Sequence, residues 1–316
     1  MQYFIVYREF SSLAKDLGYS ENALRYAATH RNEHYHKISV PKGNGELREL
    51  HAPDPFLKGI QRKIAQKLLP FYPLSYHATA YRFGGGIRNN AFHHIGQPAI
   101  LKMDIRKFFD HVTYGLIRDK VFPAEQYSEF NSKLLTRLCM YNDALPQGAP
   151  TSPAISNLIL LDFDRTVSAW CMERRIAYTR YCDDLTFSHN LTPETVKELK
   201  GLVKRELGKL GFYLNSKKTI VVRQGQRMVV TGIVVNKKYN VSADYRRKLR
   251  QELYYCRKFG IGEHVRRKGL PFTEVQYARR LLGRVNYVLY IAKDNKEMSE
   301  YKTWLIQWLK DHRGEA

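Results

Sequence analysis

The chain has 316 residues, of which 44% are hydrophobic, with 22 Tyr and 15 Phe. Such a chain buries enough apolar surface for a sizeable core, which excludes a disordered protein. Its 52 Lys and Arg stand against 30 Asp and Glu, a net charge of +22, and an excess of that size implies a polyanionic partner, nucleic acid first.

Leu13 and Leu17 share one face of a short helix, and Ser20 caps a second over 21–28. An extended pattern runs over 35–51, with Gly43-Asn44-Gly45 as a hairpin turn. Asp54 and Pro55 open a helix as N-cap and first-turn residue. Phe56, Ile60, Ile64 and Leu68 are its apolar stripe, and Pro70 and Pro73 end it. Residues 99–109 read as a buried strand running into a turn. Ser152-Pro153 opens one long helix to about 174. A β-hairpin follows over 176–188, a helix over 193–210 and a strand over 212–222. Residues 227–241 read as a further hairpin, turning around 236–240. Thr273 and Gln276 form a capping box for a helix through about 290. Strands and helices mix over two thirds of the chain and helices fill the rest, an α+β class.

The basic excess is not a tail. From Lys237 onwards 19 Lys and Arg face 9 Asp and Glu, and the remaining excess is spread over the preceding residues, as a long groove requires. Between Lys237 and Arg284 the basic residues interleave with Tyr239, Tyr245, Tyr254, Tyr255 and Phe259, a pattern suited to stacking on RNA and pairing with phosphate. Amphipathic helices with a solvated basic face give the same pattern. No stretch approaches ~18 apolar residues, so no membrane-spanning helix is expected. The first ten residues lack a secretory signal, and Cys139, Cys171, Cys182 and Cys256 form no Cys-x-x-Cys pair. The expected setting is a reducing cytoplasm, without a disulfide framework or zinc site.

The chemistry is carried by acidic residues at two places. In the strand 101–105, Leu101, Met103 and Ile105 take one face; Lys102 and Asp104 take the other, away from the core. Asp183-Asp184 sits at the tight turn of an apolar hairpin, flanked by Tyr181 and Leu185. Two adjacent carboxylates there repel each other unless a cation neutralises them, although Asp is also an ordinary turn residue. One Asp from a strand and two from a neighbouring hairpin would cage hard divalent cations. Two such ions activate an attacking hydroxyl and stabilise a leaving phosphate oxygen. With the basic charge, this points to phosphoryl transfer on nucleic acid.

Tyr181-Cys182-Asp183-Asp184 resembles the Tyr-x-Asp-Asp box of reverse transcriptases. Leu145-Pro146-Gln147-Gly148-Ala149-Pro150-Thr151-Ser152-Pro153 resembles a second box of that family, and 101–109 resembles the box with its first catalytic Asp. Asn90-Ala91-Phe92-His93-His94 and Val230-Thr231-Gly232 are similar to two short elements of retron reverse transcriptases. The resemblance implies a right-hand polymerase. Fingers would span 1–98 with part of 111–145, a palm with a small antiparallel sheet 99–240, and a helical thumb 241–316. It implies Asp104, Asp183 and Asp184 as catalytic residues holding two Mg2+ ions. Phe109 would select deoxynucleotides by crowding a 2′-hydroxyl, with Phe108 in the core. Gln147 and Gly148 would lie against the nucleotide. Lys218, in a box at 215–219, would meet the triphosphate or protonate pyrophosphate, and Arg48 would clamp the triphosphate, with Lys42 and Arg82 as competitors. Asn90, His94, Val230, Thr231 and Gly232 would serve RNA binding.

The same resemblance implies a dedicated structured RNA as template, priming from an internal guanosine 2′-hydroxyl, and a branched RNA–DNA product. Deoxynucleotides, the RNA–DNA hybrid, a separate effector protein and host RNase H would be its partners, and phage defence its role. The 80 residues after Asn236 leave no expected room for a maturase region or a fused RNase H. Two other readings stay open: an intron-encoded or diversity-generating reverse transcriptase, and a non-catalytic RNA-binding scaffold. The acidic trio speaks against a scaffold, because clustered carboxylates weaken a grip on RNA. The loose cluster His30, His34, His36, His93 and His94 lacks metal-ligand spacing. Gly84-Gly85-Gly86 lacks the Gly-Lys-Ser/Thr of a phosphate loop, and would let backbone lie against a template strand.

Overall fold

A computed structural model describes residues 6–41 and 45–312. It divides into two compact units, one of 1–86 with 99–221 and one of 87–98 with 222–316. In chain order the elements are α1 (Phe10–Leu17), α2 (Glu21–Thr29), β1 (Tyr35–Pro41), β2 (Leu47–Pro53), α3 (Pro55–Lys67), α4 (Ile87–Phe92), β3 (Ala99–Asp104), α5 (Tyr114–Lys120) and α6 (Glu129–Leu138). They continue with α7 (Ser152–Ile159), α8 (Leu161–Glu173), β4 (Ala177–Tyr181), β5 (Asp184–His189), α9 (Pro193–Gly208), β6 (Ile220–Arg223), β7 (Val229–Val230) and β8 (Ile233–Val234). The last helices are α10 (Ala243–Phe259), α11 (Ile261–Arg267), α12 (Glu274–Ile291) and α13 (Lys296–Asp311). Among the described residues, no helix is long and apolar enough to cross a membrane.

The first unit is built on a small sheet in the order β4-β5-β3-β6. β5 runs antiparallel to both β3 and β4. Leu101, Met103 and Ile105 enter the core with Leu185 and Phe187, as strand alternation predicts. Helix starts follow their caps. Ser20 accepts from the Ala23 amide at 3.2 Å, Asp54 from Leu57 at 2.9 Å and Ser128 from Asn131 at 3.3 Å. β1 and β2 form the expected hairpin; Gly43 and Asn44 of its turn, and Lys42, lie outside the described residues.

Two expectations are corrected and a third is extended. The long helix from Ser152 is two helices, parted at Leu160. Residues 155–160 are all buried, and neither Gly nor Pro stands at the break. The strand expected over 212–222 is shortened to β6, because a 3-10 turn over Ser216–Lys218 intervenes. The hairpin of 227–241 turns at Thr231 and Gly232, whose φ values of 45° and 84° suit a two-residue loop. The chain reverses a second time over 236–240, as expected: Val234 and Asn240 exchange both backbone hydrogen bonds, at 2.8 and 3.0 Å, and the Asn236 side chain closes onto the backbone of Gln226 and Met228.

In the second unit α4 packs on the β7–β8 hairpin. Asn90 donates to Thr231 Oγ1 at 3.4 Å, and Thr231 donates to the Ile87 carbonyl at 3.2 Å. The helices α10 to α13 follow. The Thr273–Gln276 capping box is present, and Glu252 of α10 accepts from Tyr277 of α12 at 2.8 Å and pairs with Arg284. Leu249, Leu253 and Cys256 face inwards from α10, whereas Tyr254 and Phe259 stay exposed.

Candidate active site

The register of the central sheet brings the acidic residues together. Asp104, the last residue of β3, stands opposite Asp184, the first of β5. Asp183 lies in the two-residue turn between β4 and β5, where Cys182 takes a left-handed φ of 60°. The Ile105 amide donates to the Asp183 carbonyl at 3.1 Å, fastening the turn to the end of β3. All three carboxylates line one open cleft of about 1360 Å³.

Asp104 is nearly covered, at 5% exposure, because two groups close over it. Lys218 Nζ donates to Oδ1 at 2.6 Å and Asn215 Nδ2 to Oδ2 at 3.2 Å. The Asn215 amide also donates to the Asp104 carbonyl at 2.8 Å. The 3-10 turn that interrupts the expected strand is what delivers Lys218. The bond to Asp104 raises the Lys218 pKa. Asp183 is raised chiefly by burial and also by Asp104. Lost hydration, then Asp183 and Asp104, push Asp184 up to about 6. Asp184 stays open to solvent on one side, which screens part of that repulsion. Burial and the neighbouring carboxylates thus both work against ionising Asp183 and Asp184 together.

The cleft's other wall comes from β2 and the 145–149 loop. Arg48, Gln147 and Gly148 all line it. The His51 amide donates to the Gln147 carbonyl at 2.9 Å, which ties the strand of Arg48 to this loop. Gly148 has φ 128°, and a Cβ there would lie 2.8 Å from the His51 carbonyl oxygen. Glycine is therefore required both by backbone conformation and by close approach. Phe108 is buried against Phe212, with ring centroids 5.1 Å apart. Phe109 is half-buried and faces the cleft.

Five of the predicted residues lie elsewhere, in the second unit. Asn90, His94 and Val230 are fully buried there, and Thr231 and Gly232 form the hairpin turn. Arg82 donates to the Ser75 carbonyl at 2.8 Å. Gly85 sits where a Cβ would come within 2.3 Å of the Thr79 carbonyl oxygen, so the glycine run serves close packing of its own loop.

Sequence reasoning missed Asn215, Tyr81 and Arg180. Asn215 stood in the quoted 215–219 box, but its contact with Asp104 needs tertiary structure. Tyr81 has φ 59° and lines the cleft; no local pattern marks it. Arg180 is fully buried, and its signal was the one charged residue within β4.

Among the described residues, no three His, Cys, Asp or Glu side chains form a ready-made metal cage. The donor set nonetheless fits a hard cation: carboxylate oxygens from three residues, two of them disfavoured as anions by burial and by a neighbouring carboxylate.

The family model described as reverse transcriptase (RNA-dependent DNA polymerase) matches residues 40–242. The retron Mx65 reverse transcriptase of Myxococcus xanthus is 33% identical over 79% of this chain, which spans 63% of that protein's length. The retron Ec86 reverse transcriptase of Escherichia coli is 30% identical, with 83% of this chain and 82% of that protein covered. Among solved structures, telomerase from Candida albicans in complex with the TWJ fragment of telomeric RNA aligns at a TM-score of 0.48 and 11% identity, over 88% of this chain and 61% of that one. A family match over more than half of the chain, and 30% identity to a relative covered over four fifths of its length, establish that this α+β chain belongs to the reverse transcriptase family of right-hand polymerases, among the retron type.

Proposed function

We propose that the chain is an RNA-directed DNA polymerase whose active site is the cleft of Asp104, Asp183 and Asp184. The observation that carries this reading is the pairing of Asp104 with Asp184 across β3 and β5, beside Asp183, in one cleft. Fingers at 1–98 with part of 111–145, palm at 99–240 and thumb at 241–316 are the division we assign.

The three carboxylates would hold two Mg2+ ions. Bound there, the ions would supply activation of the primer hydroxyl and charge neutralisation on the leaving oxygen. Lys218 keeps Asp104 oriented through their ion pair. Once displaced from Asp104 it stands, protonated, within the cleft to donate a proton to pyrophosphate. Arg48 holds the triphosphate by charge, and Gln147, fixed by its carbonyl bond to β2, orients the nucleotide. The Phe109 ring excludes a 2′-hydroxyl by volume.

The template is a dedicated structured RNA, primed from an internal guanosine 2′-hydroxyl to give a branched RNA–DNA. Deoxynucleotides and the RNA–DNA hybrid occupy the cleft in turn. A separate effector, host RNase H, a cytoplasmic setting and phage defence complete the reading. Asn90, His94, Val230, Thr231 and Gly232 serve RNA binding by shaping the segment α4–β8, since most of their side chains are turned inwards.

Asp183→Asn tests the site. A neutral amide is a poorer ligand and removes one charge. Primer extension on an RNA template with Mg2+ should fall by more than about 100-fold, or ~2.7 kcal/mol in barrier, with RNA binding retained. Activity within about tenfold of the parent would remove Asp183 from the site.

A further inference from the structure

The acidic turn is held from behind by a buried ion pair. Arg180 lies in β4, two residues before Cys182, and is fully buried. A guanidinium at such depth is tolerated only when its donors are met. Asp164 of α8, equally buried, meets two of them: Nε donates to Oδ1 at 2.8 Å and Nη2 to Oδ2 at 2.6 Å. Tyr178 donates to the same Oδ1 at 2.7 Å.

The third nitrogen takes no part in the pair. Arg180 Nη1 donates to Asn157 Oδ1 and to the main-chain carbonyl of Cys182, both at 3.1 Å. That carbonyl belongs to the peptide joining Cys182 to Asp183. Cys182 is the residue with left-handed φ, a conformation that a side chain with a Cβ adopts at some cost and keeps only when its surroundings hold it. The guanidinium thus bonds to the peptide plane that carries Asp183.

The network also reaches a second wall of the cleft. Asn157 Nδ2 donates to the Ala80 carbonyl at 2.9 Å, next to Tyr81. The preceding residues run beside β4, with the Arg180 amide donating to His77 at 2.7 Å and the Thr79 amide to Arg180 at 2.8 Å.

We propose that Arg180 is a positioning residue for polymerisation: through the Cys182 carbonyl it fixes the turn that places Asp183 and Asp184 opposite Asp104, with Asp164 and Asn157 as its supports. It touches neither substrate nor the three carboxylates. The proposal rests on the polymerase reading above.

A buried ion pair kept only for stability is replaceable by apolar side chains of similar volume. The test is therefore the combined variant Asp164→Leu, Arg180→Met and Tyr178→Phe, which leaves no unpaired charge and no orphaned hydroxyl. We expect it to melt within about 5 °C of the parent and to bind template–primer equally. Its kcat should fall by about 30-fold or more while the deoxynucleotide KM moves less than about threefold, the mark of an interaction serving the transition state. A folded variant with kcat within about threefold of the parent overturns the proposal, as does a loss confined to KM.

If the combined variant fails to fold, Arg180→Lys decides. Lysine keeps the charge and the pair with Asp164, but lacks a planar fork to reach the Cys182 carbonyl at the same time. A folded lysine variant with parental kcat overturns the proposal; one at least about tenfold slower at unchanged KM supports it. A parent chain that extends no primer with any divalent cation would instead remove the polymerase reading, and this role with it, before any variant is compared.

Discussion

Replacing Gly148 by Ala probes the joint between the 145–149 loop and the strand of Arg48. Two costs add. The backbone sits at φ 128°, a region nearly restricted to glycine, which costs a side-chain residue about 1–3 kcal/mol. The new methyl would also stand 2.8 Å from the His51 carbonyl oxygen, and backbone on both sides leaves no flexible group to yield. Relief requires parting β2 from the loop, which loses the His51–Gln147 bond, worth about 1 kcal/mol. The total of about 2–4 kcal/mol should lower the melting temperature by roughly 3–6 °C in a chain of this size. Because parting the two segments moves Arg48 and Gln147 relative to each other, the deoxynucleotide KM should rise about tenfold or more, ~1.4 kcal/mol. Gly225→Ala is the internal control. Its φ is 92°, yet nothing lies within 4 Å of the added methyl, so it carries the backbone cost alone and should leave KM unchanged. Thermal melts and single-nucleotide incorporation measure both. A Gly148→Ala protein melting within about 2 °C of the parent, with KM within about twofold, would refute the close-approach argument.

Phe109→Ala should raise ribonucleotide incorporation relative to deoxynucleotide, read from competing single additions; an unchanged ratio in active enzyme would make Phe109 a packing residue. Lys218→Met removes the ammonium from Asp104 and should lower kcat by about 10–100-fold in single-turnover extension, whereas an unaltered rate would leave Lys218 a mere counter-ion. Burial, with His93 beside it, drives His94 down to about 3 from its ordinary 6.5. A base depressed in the folded state loses stability as pH falls: the full contribution is present above about 6.5 and is lost progressively towards about 3. Urea midpoints should therefore drop between about pH 7 and 4.5, and His94→Gln should flatten that slope; the same slope in the variant would assign it to other groups.

Much of the acidic cleft was legible in the sequence because its signals are local. Alternation along 101–105 set Asp104 on the face away from the apolar side chains, and the apolar strands on either side of Asp183-Asp184 marked a hairpin. Caps at Ser20, Asp54 and Thr273 located helix starts, since each satisfies orphan amides within three residues of itself. The choice of Phe108 for the core agrees with its burial.

What the sequence could not determine depends on contacts between distant segments. The register that sets Asp104 against Asp184 joins residues far apart in the chain. The break at Leu160 is marked by neither Gly nor Pro, and no periodicity within the helix records it. Lys218 reaches Asp104 only because the chain turns at 216–218 and Asn215 bonds back to β3. The turn at Thr231-Gly232 is anchored by Asn90, 141 residues earlier. Arg180 shows the difference most plainly. As a letter in a strand it is a misplaced charge; its meaning comes from Asp164 on a helix behind it and from the Cys182 carbonyl in front. A buried charge is stabilised by the geometry of its partners, and that geometry exists only once the chain has folded.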